Sequence, residues 1–323
     1  MRVVFVGNAR WSVPSLEALA GSRHELALVV TRAARRGGRG NRPISTPVAE
    51  GARRLGLPLE EVETVKSGRG LEVLAEADPD ILAVVAYGEI VPKPILDLPR
   101  VAPVNVHFSL LPALRGAAPV QRAILAGLDR TGVTTIRMDE GMDTGPILLK
   151  AGEPIDPEED AGSLGDRLAR LGGRLLVETL DGLQAGTIRE RPQDNGKATF
   201  APKLKADERI IEWSRSAEEI VRLVRAMAPE PGATTTFRGR GLRVLRASWR
   251  FYSHPMGQSP VPGAIMMASK TGLAVVGGGV MVQLHEVQPE GRRRMSGADF
   301  VRGYRPQAGE RLGEPVCGAP ARG

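Results

Sequence analysis

Short apolar runs alternate with helical patterns along the first two hundred residues. The apolar runs have the length and composition of buried strands. They cover residues 2–7, 25–31, 81–88, 104–111 and 133–138. Segments with apolar residues three and four positions apart lie between them, at 15–20, 48–55, 71–77 and 120–126. Nearly continuous apolar strands that alternate with helices predict an α/β fold with a mostly parallel sheet, covered on both faces.

The pattern changes after residue 193. A further strand (145–155) and a long helix (163 to about 183) complete the first part, and residues 194–207 are mostly polar. Beyond them, Ser216 precedes Glu219 by three residues, which is the capping-box spacing. Short strands separated by Gly and Pro follow and predict a small antiparallel barrel. We therefore expect a first domain at 1–193, a linker at 194–207 and a second domain at 208–323.

The composition of the 323 residues is that of an ordinary globular protein, with 42% hydrophobic and 25% charged residues. The single cysteine, Cys317, excludes a disulfide framework and a cysteine-based zinc site. No apolar run approaches the roughly 20 residues of a membrane span, and the apolar N-terminal stretch is too short for a signal peptide. We expect a cytoplasmic protein that does not bind a membrane.

The formal net charge of +7 is unevenly distributed. Residues 1–201 carry 25 basic and 26 acidic side chains, whereas residues 202–323 carry 19 basic and 11 acidic ones. Codon bias of a GC-rich genome accounts for the preference for Arg over Lys, but not for an excess confined to one third of the chain. A basic second domain beside a near-neutral first one indicates a polyanionic partner.

Polar side chains with a chemical use follow two of the predicted strands. Asn105 and His107 lie on one side of a strand, and the Gly-flanked segment MDEGMDTGP carries Asp139 and Asp143. An Asn can donate to an oxyanion, a His can move a proton, and an Asp can orient the His. A buried, hydrogen-bonded histidine and a turn-forming aspartate are the alternative interpretations. The four histidines lack metal-ligand spacing, so no metal is expected.

These residues also belong to recognisable motifs. NVHFSLLP (105–112), RGAAPVQ (115–121) and DEGMDTGP (139–146), together with VVAYGEIVP (84–92) and VQPEGRRRMSGADFVRG (287–303), resemble the folate-dependent formyltransferase family over nearly the whole chain. The resemblance implies a Rossmann-like formyltransferase domain followed by a small OB-like β-barrel domain. It also implies formyl transfer from 10-formyltetrahydrofolate to an amine. Asn105 and protonated His107 would hold the oxyanion, and Asp143 would pair with His107 and assist proton transfer.

The resemblance further implies the residues that contact the folate cosubstrate. The predicted contacts are Gly88, Glu89, Ile90, Ser109, Leu110, Leu111, Pro112, Met138 and Asp139.

Within the family, the chain is most similar to the branch that formylates methionyl-initiator tRNA. Gln121 and the basic second domain favour that branch over the enzymes that act on amino-sugar nucleotides or another small amine. An RNA-binding protein with an idle core is a third possibility. Trp11 would be an apolar wall of the methionyl pocket, and a monomer is expected. The predicted tRNA contacts are Arg36, Arg39, Arg42, Lys203, Arg292, Arg293 and Arg294.

The sequence departs from the family pattern in three places. The usual GTPxF after the first strand is GNARW, so that Asn8, Ala9 and Trp11 replace Thr, Pro and Phe. The usual TQPD is TRAA at 31–34, and the bulky pair before RGAAP is 113–114, Ala-Leu. All three departures are expected on the acceptor side of the site.

Overall fold

The computed structural model describes residues 1–37, 42–251, 261–269 and 272–314. Its contacts divide the chain into two compact units. The first comprises residues 1–120, 129–155 and 164–203, and the second comprises 121–128, 156–163 and the described residues from 204 onward. Cys317 lies outside the described residues.

A seven-stranded sheet forms the centre of the first unit. Its strands are β1 (Arg2–Gly7), β2 (Glu25–Arg32), β5 (Leu59–Val62), β6 (Ile81–Val85), β7 (Ala102–His107), β8 (Arg130–Arg137) and β9 (Ile147–Pro154). They lie in the order β5-β2-β1-β6-β7-β8-β9. The pairings from β5 to β7 are parallel, whereas β8 and β9 run antiparallel to their neighbours. The mostly parallel sheet predicted from the sequence is confirmed.

Helices lie between these strands along the chain and after the last of them, and a separate hairpin follows β2. The helices are α1 (Val13–Ala20), α2 (Pro47–Arg54), α3 (Gly68–Glu76), α4 (Lys93–Leu96), α5 (Pro119–Leu125) and α6 (Ala161–Ala185). The hairpin consists of β3 (Arg35–Gly37) and β4 (Arg42–Ile44). Every residue of β6 is buried, as expected for a central strand with both faces covered.

The second unit is an antiparallel barrel. Its strands are β10 (Ala233–Phe237), β11 (Arg240–Arg250), β12 (Ile265–Ser269), β13 (Gly272–Gly277), β14 (Val280–Pro289) and β15 (Met295–Ser296). They lie in the order β10-β11-β14-β13-β12, and β15 pairs with β14. Leu312 N–H donates to Gly263 O at 2.8 Å, and Gly313 N–H donates to Thr236 O at 3.0 Å. The segment around residue 312 therefore joins both edges of the sheet and closes it.

Two helices accompany the barrel, α7 (Ala217–Met227) and α8 (Gly297–Tyr304). The predicted capping box is present, because the Ser216 hydroxyl accepts from Glu219 N–H while the Glu219 carboxylate accepts from Ser216 N–H. Phe300 of α8 is 1% exposed and lies in the barrel core with Phe237.

Two predicted strands end earlier than their apolar runs suggest. The run 81–88 stops being a strand at Val85, because Ala86 and Gly88 have φ values of 44° and 84°. The run 104–111 leaves the sheet after His107. Strand β5 (LEEV), the β3–β4 hairpin and the single-turn α4 were not predicted, since each is short and polar or contains proline.

Candidate active site

Three side chains meet between β7 and the loop that follows β8. Asn105 and His107 lie two residues apart on β7 and project from the same side of the sheet. Asp143 lies in the loop between β8 and β9. Asn105 Nδ2 donates to Asp143 Oδ1 at 3.3 Å, and His107 Nδ1 is 3.5 Å from Asp143 Oδ2. The structure thus brings together the three residues that the sequence predicts to be catalytic.

Both ring nitrogens of His107 face oxygen atoms of the protein. His107 is 5% exposed, and its Nε2 lies 2.9 Å from the carbonyl oxygen of Leu114. A carbonyl oxygen only accepts, so Nε2 carries a hydrogen and Nδ1, which faces Asp143, is the nitrogen that can exchange a proton. Direct donation from His107 to an oxyanion therefore requires one of these two contacts to open.

The backbone of Asp143 is held in an unusual conformation. Its φ of 55° is in the left-handed region, which costs a residue with a side chain about 1 kcal/mol or more. The amide of Gln193 donates to the carbonyl oxygens of Asp143 at 2.7 Å and Gly145 at 2.8 Å. Gly116 N–H donates to Asp143 Oδ2 at 2.8 Å. These contacts fix the position of the carboxylate.

A buried cation supports Gln193. Arg115 is 4% exposed, and its Nε and Nη2 donate to Gln193 Oε1 at 3.1 and 2.8 Å. Its Nη2 also donates to Asn195 Oδ1 at 2.9 Å. Sequence reasoning did not identify Gln193 or Asn195 as site residues, although a polar cluster (RPQDN, 191–195) marks their position.

Residues just beyond this cluster pair with the segment that carries Gly116. Arg115 N–H donates to Thr199 O at 2.9 Å, and Ala201 N–H donates to Arg115 O at 2.7 Å. Gly116 has a φ of 120°, and a Cβ at this position would lie 2.8 Å from Ala201 O. Only glycine permits this approach without strain. Residues 199–201, within the range predicted as a linker, therefore belong to the first unit by their hydrogen bonds.

The predicted folate segment after β6 is partly open. A Cβ added at Gly88 would point into open space, and the Ile90 side chain is 64% exposed. The Glu89 carboxylate, by contrast, pairs with Arg32 and accepts a hydrogen bond of 2.6 Å from Thr64 Oγ1. The Thr64 hydrogen bond and, next, Arg32 hold the pKa of Glu89 below its usual value, against the opposing effect of burial. Gly88 and Ile90 are accessible to a ligand, whereas the Glu89 side chain is engaged within the protein.

The predicted folate segment after β7 is mostly turned inward. Ser109 and Leu111 are 0% exposed, and Leu111 N–H donates to Thr134 Oγ1 at 3.1 Å. Leu110 and Pro112 are half-buried. The side chains of Ser109 and Leu111 are therefore not accessible to a ligand. Folate contacts by Leu110, Pro112 and the main chain of this segment stay a prediction.

Met138 and Asp139 begin the loop that carries Asp143. Met138 is half-buried against the core of the first unit. Asp139 Oδ1 accepts from Gly141 N–H at 3.1 Å and from Thr144 Oγ1 at 2.7 Å. The Asp139 carboxylate stabilises its own loop, and a folate contact by either residue stays a prediction.

Trp11 packs against α6 and Phe108. A Cβ at Gly165 of α6 would lie 2.0 Å from the Trp11 ring, and Trp11 Nε1 donates to Asp166 Oδ1 at 3.0 Å. The ring also meets Phe108 edge to face, with centroids 6.2 Å apart. Phe108 packs toward α6, on the side of β7 opposite to His107. A methionyl pocket that includes Trp11 stays a prediction.

The residues predicted to contact tRNA lie in both units. Arg36 and Arg42 are on the β3–β4 hairpin, and Arg39 lies outside the described residues. Lys203 is exposed at the end of the first unit. Arg292, Arg293 and Arg294 are exposed between β14 and β15.

The described residues contain neither a metal-binding cluster nor a helix that could span a membrane. No group of three or more His, Cys, Asp and Glu side chains in that part of the chain could hold a metal ion. No helix there is both long enough and apolar enough to cross a membrane.

Comparison with known families accounts for both units. A family described as formyl transferase matches residues 1–180, and the formyl transferase C-terminal domain matches residues 203–305. The methionyl-tRNA formyltransferase of Solibacter usitatus is 44% identical over 314 residues, which cover 97% of this chain and 99% of that protein. The methionyl-tRNA formyltransferase of Acidithiobacillus ferrooxidans is also 44% identical, over 97% of this chain and 98% of that protein.

Solved structures share the fold at lower identity. HypX from Aquifex aeolicus in complex with tetrahydrofolic acid has a TM-score of 0.65 at 15% identity, over 100% of this chain and 50% of that chain. The sugar 3N-formyl transferase WlaRD has a TM-score of 0.64 at 17% identity, over 91% and 99% of the two chains. The chain belongs to the formyl transferase family, and within it to the group of the methionyl-tRNA formyltransferases.

Proposed function

We propose that this protein transfers a formyl group from 10-formyltetrahydrofolate to the amino group of methionyl-initiator tRNA. The product, N-formylmethionyl-tRNA, would serve translation initiation in the cytoplasm. The convergence of Asn105, His107 and Asp143 carries the proposal. The 44% identity to methionyl-tRNA formyltransferases over 97% of the chain supports this acceptor over an amino sugar.

Asn105 is the donor that stabilises the developing charge. An amide nitrogen carries two hydrogens, and Asp143 Oδ1 takes only one of those on Asn105. The second hydrogen is available to the formyl oxygen, where negative charge grows as the amine attacks the formyl carbon. Loss of one such donor typically costs about 3 kcal/mol of transition-state stabilisation, or roughly a hundredfold in rate.

Asp143 and His107 handle the proton. As the new C–N bond forms and the bond to N10 of the folate breaks, a proton must pass from the amine to N10. The Asp143 carboxylate can accept the proton directly or through one water. His107 assists, because its Nδ1 lies 3.5 Å from Asp143 Oδ2. The Nε2–H bond to Leu114 O keeps Nδ1 directed at Asp143 during this exchange.

The two substrates would use separate surfaces of the protein. Gly88 and Ile90 leave an accessible surface after β6, where the pterin would bind. The exposed Arg292, Arg293 and Arg294, with Lys203 and the hairpin arginines, would contact tRNA phosphates, which set affinity and salt dependence rather than sequence choice. All of the candidate catalytic residues come from one chain, so we propose an active monomer.

One assay tests the proposed function. Purified protein is mixed with 10-formyltetrahydrofolate and either methionine-charged initiator tRNA or amino-sugar nucleotides. We expect formyl-methionine on the tRNA, and its absence at saturating donor would refute the proposal. Formylation of a sugar would indicate the paralogous enzyme, and tRNA binding without any transfer would indicate an idle core.

A variant separates a catalytic role of His107 from a structural one. His107→Ala should abolish transfer and leave tRNA affinity nearly unchanged, because His107 is not among the residues predicted to contact tRNA. Equal loss of transfer and of affinity would assign His107 a structural role.

A further inference from the structure

A polar network joins four segments at the carboxyl ends of the parallel strands. Asn8, which follows β1, accepts at Oδ1 from Thr31 Oγ1 at 3.0 Å and from Arg32 N–H at 2.8 Å. Its Nδ2 donates to the carbonyl oxygen of Tyr87, beyond β6. The Tyr87 hydroxyl in turn accepts from Val65 N–H at 2.9 Å. One asparagine therefore ties the ends of β1, β2 and β6 together.

An ion pair completes the network. The Arg32 guanidinium pairs with the Glu89 carboxylate, and their side chains are 23% and 22% exposed. The second Glu89 oxygen accepts from Thr64 Oγ1 at 2.6 Å. Because this pair is mostly shielded from water, it is screened less by salt than a surface pair.

The two partners belong to different predicted substrate surfaces. Arg32 ends β2, and the β3–β4 hairpin with its arginines begins three residues later. Thr31 precedes the hairpin and Thr46 follows it, and their hydroxyl oxygens form a hydrogen bond of 2.7 Å. Glu89 lies between Gly88 and Ile90, the accessible residues of the predicted pterin surface.

We propose that Arg32 and Glu89 are positioning residues that couple the two substrate surfaces. With the pair intact, a folate that orders the 88–90 segment also orders the base of the hairpin, and bound tRNA acts in reverse with the same factor. This inference rests on the proposed function, because it needs a folate and a tRNA as ligands. It assigns Glu89 a role through Arg32 rather than a direct contact with folate.

The test measures tRNA affinity with and without tetrahydrofolate, the non-transferring product. In the unchanged protein, saturating tetrahydrofolate should tighten the Kd for methionyl-initiator tRNA about fivefold or more, the usual lower range of allosteric coupling. In Glu89→Gln, which preserves the size of the side chain, this factor should fall below about twofold. Arg32→Gln should have the same effect, and the double variant should lose no more than either single one.

Two controls sharpen the result. Arg32→Lys keeps the charge and should retain more than half of the coupling in free-energy terms. Arg54→Gln removes one arginine from the surface pair with Glu17 in the same unit and should keep the full factor. A factor that is unchanged in Glu89→Gln and Arg32→Gln, or absent in the unchanged protein, overturns the proposal. Formyl transfer by the unchanged protein, measured alongside, shows whether the proposed function itself stands.

Discussion

Gln193 gives the sharpest test of how the Asp143 carboxylate, proposed to be catalytic, is held. Its amide donates to Asp143 O at 2.7 Å and to Gly145 O at 2.8 Å, while its Oε1 accepts from Arg115 at 3.1 and 2.8 Å. Gln193→Ala removes all four contacts at once. The substitution therefore perturbs both a buried cation and the left-handed backbone of Asp143.

The expected magnitudes follow from these contacts. Hydrogen bonds to a charged group contribute about 1.5–3 kcal/mol each, and among the described residues Arg115 would keep only the Asn195 acceptor, at 2.9 Å. Two such bonds are lost, so we expect the free energy of unfolding to fall by about 3–6 kcal/mol. Without the Gln193 amide, Asp143 can relax from its φ of 55°. A displacement of about 1 Å at a reacting group can cost a hundredfold in rate, so kcat should fall by roughly 10- to 100-fold.

Urea unfolding and a formyl-transfer assay measure the two effects separately. Asn195→Ala is the matched control, because it removes an acceptor from Arg115 but no contact with Asp143. It should reduce stability and leave kcat within about twofold of the unchanged protein. If Gln193→Ala lost stability but kept its kcat, the amide would not position Asp143 and the reasoning would fail.

Three further predictions concern other parts of the chain. Replacing Arg39 and Arg42 with Ala should lower the slope of log Kd against log salt for tRNA by about one per lost phosphate contact; an unchanged slope would make them solvated surface residues. Burial and, next, the α-amino group of Met1 lower the pKa of His24 from 6.5, so the unfolded chain binds the proton more tightly and stability should fall as the pH drops below 6.5. Urea unfolding of His24→Gln at several pH values should show a flatter dependence. Phe300→Ala removes a ring that is 1% exposed and should cost about 3–5 kcal/mol in urea unfolding; a loss below about 1 kcal/mol would mean that the barrel core closes over the gap.

The convergence of the three catalytic candidates could be predicted because each member has a local signal. The two-residue spacing of Asn105 and His107 on an apolar strand places both on one side of the sheet. Asp143 lies between two glycines, Gly141 and Gly145. Neither has room for a Cβ, so the glycines indicate a tightly folded loop. The family motif then assigned roles that neither spacing nor composition carries.

The residues that support the trio have no such signal. Gln193 is 50 positions from Asp143 and 78 from Arg115, and its segment is polar and non-periodic. Gln193 is the last residue of the predicted first domain, and the polar residues 194–207 that follow it are predicted to be a linker. Its hydrogen bonds to Asp143 and Arg115 arise only from tertiary packing, which no window of neighbouring residues contains. The ion pair of Arg32 and Glu89 could not be predicted for the same reason, because the two residues are 57 positions apart in the sequence.

Two of the departures from the family pattern, separated in the sequence, are neighbours in the structure. Asn8 stands in GNARW and Arg32 in TRAA, and Asn8 Oδ1 accepts from Arg32 N–H at 2.8 Å. Restoring the usual threonine at position 8 would shorten the side chain that bonds both Arg32 N–H and Tyr87 O, and Glu89 would keep its contacts with Arg32 and Thr64. Residues that share one hydrogen-bond network do not contribute independently to stability. The two departures therefore meet at one edge of the first unit, although the Arg32 N–H that bonds Asn8 is a backbone group that any residue except proline would supply.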